Sequence, residues 1–85
     1  MKKEKEYFLI KQWCPGRGQT SDNPSCLFYG SKPYNYPLTE KVKSYLCYTS
    51  YKRAERVMLK HYEWSLYYRY EVVKIPAEMV EVYEG

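Results

Sequence analysis

Residues 49–75 read TSYKRAERVMLKHYEWSLYYRYEVVKI, and the hydrophobic period changes partway along that stretch. From Ser50 to Trp64, the residues Tyr51, Ala54, Val57, Met58, His61 and Tyr62 recur at three- and four-residue spacings, which makes one apolar stripe along about four helical turns. Thr49 and Ser50 are residue types that accept hydrogen bonds from the unpaired amides of a first turn, so the pattern predicts an amphipathic helix over 50–64. From Leu66 to Ile75 the run LYYRYEVVKI is dominated by tyrosine, valine and isoleucine and stops at Pro76, which predicts a long strand over 66–75.

Further strands are expected on either side of this unit. Glu6 to Trp13 (EYFLIKQW) is rich in aromatic and branched residues and ends at Cys14-Pro15-Gly16, and its four-residue apolar centre predicts an interior strand. The next segment, CPGRGQTSDNPS, combines glycines, prolines and small polar residues, so 14–26 reads as a mobile loop. Leu27-Phe28-Tyr29 reads as a short strand closed by Gly30, Lys32 to Pro37 (KPYNYP) as an extended aromatic connector, and Lys43 to Tyr48 as extended again. Glu78 to Tyr83 fits a last strand or, with Pro76 at a first helical position, a short helix. The order predicts an α+β fold, an antiparallel or mixed sheet of three to five strands with the one amphipathic helix packed on a face.

With 85 residues the chain has room for a single domain and a modest core, since a chain this short buries roughly 60 to 65% of its unfolded surface. Twelve of the residues are tyrosine, so aromatic rings must help fill the interior and their hydroxyls need partners. Lysine and arginine outnumber aspartate and glutamate by 14 to 10, a mildly basic balance that argues against an acidic mimic of nucleic acid. Charged Met1 to Glu6 is followed only by the short apolar run Tyr7 to Ile10, far less than a secretion signal or a membrane span, so a cytosolic chain with no membrane partner is expected. Cys14, Cys26 and Cys47 are an odd set and read as reduced thiols, with Cys14 and Cys26 able to pair across their loop in an oxidising compartment.

Residues that do chemistry are sparse. Cys14, Cys26, Cys47 and His61 lack the close C-x2-4-C or H-x3-5-H spacing that anchors a zinc site, and Cys47 with His61 lacks the local signature of a nucleophile and base. Pro15-Gly16-Arg17-Gly18 matches no phosphate-binding fingerprint and reads as a turn. Glu71, Glu78, Glu81 and Glu84 read as solvent-facing. No enzyme, metal or cofactor is expected.

Binding chemistry is plentiful. Lys52, Arg53, Arg56 and Lys60 crowd the helix, with like charges four apart and cations in the first turn, where the helix dipole favours acids. Such a face is either simply solvated, relieved by Glu55 and Glu63, or it meets an anionic partner. Strand alternation places Leu66, Tyr68, Tyr70 and Val72 on one side as the core face, which leaves Tyr67 and Arg69 as an aromatic and cationic pair on an open sheet surface. The alternative for these tyrosines is ordinary cross-strand packing.

The segment from Tyr45 to Ile75, carried by YTSYKRAERVMLKHY and YRYEVVKI, resembles the strand, basic helix and strand layout of small phage and prophage proteins. The resemblance implies a mobile-element origin and a chain that disables host machinery by binding it, as some phage proteins of this size do to defence nucleases. A non-enzymatic inhibitor of a host protein is therefore the expected function, with Arg53, Arg56, Lys60, Tyr67 and Arg69 as contacts and Tyr34 and Tyr36 as further anchors. RNA or single-stranded DNA binding through the same residues is the alternative, and a homodimer is plausible because a second copy would cover aromatic surface that one domain leaves wet.

Overall fold

A computed structural model describes residues 5–30, 32–61 and 66–82. Four antiparallel strands form the main sheet in the order β3, β2, β1, β5: β1 is Phe8–Trp13, β2 Cys26–Tyr29, β3 Lys32–Tyr34 and β5 Arg69–Lys74. The expected interior strand is central. Ile10 lies between Phe28 and Val72, and Lys11 lies between Leu27 and Glu71. The helix α1 (Tyr51–His61) and a two-stranded parallel sheet of β4 (Val42–Lys43) with β6 (Val80–Glu81) complete the α+β architecture.

The alternation along β1 builds two cores, one on each face of the sheet. Phe8 and Ile10 face α1 together with Val72, Tyr48 and Ala54, and Val57, Met58 and Tyr70 pack around them. Ala54, Val57 and Met58 of the helical stripe thus dock as its period requires. Tyr7 and Leu9 point the other way, onto Leu27, Ile75, Val42, Val80 and Cys47, with Leu38, Val73 and Met79 closing that side. The same two-residue period that exposes one face of many sheets here buries both, because β4, β6 and the 35–41 segment roof the face opposite α1.

That roof corrects the expectation of an open sheet surface. Tyr70 and Val72 do face α1, but Val73 and Ile75 on the other side are covered rather than open. The strand is also shorter than 66–75. Trp13, the last residue of β1, is the ladder partner of Arg69, and β1 then turns away at Cys14-Pro15, so residues 66–68 have no β1 residue to pair with. Leu66 and Tyr67 form a bend instead.

Other boundaries follow from local chemistry. Ser50 caps α1, its Oγ accepting from the Arg53 amide at 3.4 Å while its carbonyl accepts from Ala54 at 3.0 Å. Tyr62 to Trp64, the end of the expected helix, lie outside the described residues. The 14–26 segment is ordered into turns: a 3-10 turn at Pro15–Arg17 ends at Gly18, whose φ of 76° suits glycine, and the Cys14 amide donates to Gln19 Oε1 at 2.7 Å. Cys26 already belongs to β2. Lys43 to Tyr48 is not continuous strand, because a 3-10 turn at Ser44–Leu46 separates Val42 from Tyr48. Val42 packs in one core and Tyr48 in the other, where it exchanges backbone hydrogen bonds with Phe8 at 2.8 and 2.9 Å. At 76–82 both readings hold in part, since a 3-10 turn at Ala77–Met79 leads into β6; Tyr83 lies outside the described residues.

Candidate functional site

With Ala54 buried and Val57 and Met58 packed against the sheet, α1 turns Lys52, Arg53, Arg56, Leu59 and Lys60 to solvent. Tyr51 sits at the margin, its ring edge-on to Phe8 at 5.9 Å between centroids. No acid occupies the first helical turn, so the cationic face keeps its local cost, and Lys52, Glu55, Arg56, Leu59 and Lys60 outline a shallow depression along it.

The bend that precedes β5 carries the most exposed large hydrophobic side chains among the described residues. Leu66 is 86% exposed and Tyr67 75%. Arg69 is exposed as well, its guanidinium donating to the Tyr68 carbonyl at 3.5 Å, and its register opposite Trp13 aims it away from α1. β5 is an edge strand; α1 packs on the face that carries Tyr70 and Val72, and Arg69 lies on the opposite face. Tyr67 and Arg69 do not form a stacked pair on a flat sheet. They sit at the corner where the chain enters the edge.

Tyr34 and Tyr36 lie elsewhere. Tyr34 ends β3, the opposite edge of the sheet, about 14 Å from β5 at the usual strand spacing. Its ring is half-buried against the core and its hydroxyl is enclosed without a hydrogen-bond partner. Burial pushes the phenol up from its usual pKa, with Cys47, Tyr45 and Tyr29 adding to the effect. Tyr36, in the connector to Pro37, borders a hollow with Leu27, Leu38, Val73 and Met79. The seven expected contact residues therefore divide into an α1 and β5 group and a β3 group.

Two features escaped the reading of the sequence. Lys11 is only 8% exposed on the roofed face, where Nζ lies 3.3 Å from Glu71 and 5.8 Å from the Trp13 ring centroid. The signal was available in β1 itself: a lysine two residues after Leu9 on a doubly covered strand must bury its stem and find an acid. The second feature is a cleft between β3 and the 38–46 segment, whose lysines are scattered along the sequence and converge only in the fold. Among the described residues no group of three or more histidine, cysteine, aspartate or glutamate side chains is placed to hold a metal ion, and all three cysteines are free thiols. No described helix is long and apolar enough to cross a membrane. No family pattern, curated protein or solved structure matches the chain.

Proposed function

We propose that this chain is a non-enzymatic binding protein, encoded by a phage or other mobile element, that occupies a site on a host protein and inhibits or redirects it by steric block. The observation that carries this reading is the exposure of Leu66 and Tyr67 beside Arg69, at the entry to the edge strand β5, with Arg53, Arg56 and Lys60 exposed on the helix that packs against that strand. Large apolar side chains bordered by arginine are the residue types that dominate protein interfaces, and a small domain gains nothing in its own stability from leaving them in water. The cations select a partner whose surface is acidic around an apolar centre.

The test is recovery of the tagged protein from host lysate after nuclease treatment, with washes of rising salt. One host protein retained in near-equal amount, and lost when Tyr67→Ala is combined with Arg69→Ala in a chain of unchanged circular dichroism, is the expected result. Recovery of nucleic acid alone, washed off steeply by salt, overturns it and makes the same edge a phosphate and base platform.

A further inference from the structure

The β3 edge carries a site that the docking reading does not use. Lys32, Lys41 and Lys43 line a cleft of about 420 Å³ in which Glu40 is the sole acid, so this one hollow holds two of the chain's four net positive charges. Its walls are aromatic as well as basic. The Lys32 ammonium lies over the Tyr34 ring, 5.5 Å from its centroid, and the Lys43 ammonium over the Tyr45 ring at 6.0 Å, so one face of each ring carries a cation. Asn35 and Thr39 add neutral hydrogen-bonding side chains at the rim.

We infer that this cleft binds a nucleoside monophosphate, its phosphate held among the three lysines and its base against Tyr45. The size falls in the range of small-molecule sites, and a bare phosphate would leave most of it unfilled. An aliphatic anion would satisfy the lysines but make no use of two tyrosine rings, whereas a base presents a flat face to stack and an edge for Asn35 and Thr39 to read.

The cleft lies on the sheet edge opposite Tyr67 and Arg69, so its test does not depend on the host-protein reading. Titrating the full chain with adenosine 5′-monophosphate at low salt, followed by calorimetry and by the tyrosine ring signals in NMR, is expected to show one site and to shift Tyr34 and Tyr45. Inorganic phosphate and adenosine, titrated separately, are expected to bind far more weakly. Tyr45→Ala, an exposed position, should weaken binding about tenfold or more, the loss expected for one base-to-ring stack. Lys43→Gln should weaken it severalfold, while Lys74→Gln, which removes the same charge from the far edge, should leave it unchanged. The inference is overturned if millimolar nucleotide shifts neither ring, or if Lys43→Gln and Lys74→Gln have equal effects, the mark of unspecific attraction to a basic chain.

Discussion

At Tyr34 and Cys47, single atoms carry testable consequences. The Tyr34 hydroxyl is buried without a partner, and an unsatisfied buried polar group costs about 1–3 kcal/mol, so Tyr34→Phe removes a penalty while keeping the ring that packs against the core. Urea unfolding should show the variant as stable as the parent, or more stable by up to about 2 kcal/mol. Cys47 is 5% exposed, its thiol donating to the Lys43 carbonyl at 3.6 Å, and burial pushes its pKa up from 9.0 to about 11. A thiol whose pKa is raised by folding keeps its proton in the native state after the unfolded chain has lost it. Its contribution to stability is therefore complete below about pH 9 and is lost as pH rises through about 11. Denaturation midpoints measured from pH 8 to 11 should fall in the parent and fall less in Cys47→Ala, and native Cys47 should resist alkylation at pH 8.

The helix shows what a local pattern reveals and where it stops. Lys52, Arg56 and Lys60 repeat every fourth residue on the exposed side, so Arg56→Glu converts two repulsions into two attractive pairs and should raise stability by about 0.5–1 kcal/mol, measured by thermal unfolding. If that face meets an acidic partner, the same variant should lose capture of it, a conflict between stability and binding that a merely solvated face would not show. The stripe, the cap at Ser50 and the central position of β1 were legible because each rests on residues within a few positions of one another. The start of β5 was not, since LYYRYEVVKI has strand character throughout, and only the end of β1 at Trp13 decides that pairing begins at Arg69. The turn at Ser44–Leu46 was hidden for a related reason. It exists to carry the chain from the Val42 core to the Tyr48 core, a need set by tertiary structure alone.

At the scale of the whole molecule, the seven expected contact residues belong to separate edges because strand order is long-range information: Tyr34 and Arg69 both end up on edge strands, with β2 and β1 between them. The lysine cleft was illegible for the same reason, its walls coming from β3 and the 38–46 segment. The sheet that separates the sites also couples the two cores, since adjacent residues of β1 serve opposite faces. Leu9 and Ile10 are both fully buried, one under the β4 and β6 roof and the other under α1. A chain of this size has a total stability of roughly 4–13 kcal/mol, of which Leu9→Ala should remove about 2–5 and Ile10→Val about 0.5–1.5. If one strand holds both cores, neither loss can stay on its own face. Far-UV circular dichroism, dominated by backbone order, and Trp13 fluorescence, on the roofed face and isolated in a Trp64→Phe background, should report a single coincident urea transition in each variant, shifted by the same amount for both probes. Transitions that separate in Leu9→Ala, with helical signal outlasting the change at Trp13, would show that the α1 core stands without the other and that β1 does not bind the two into one cooperative unit.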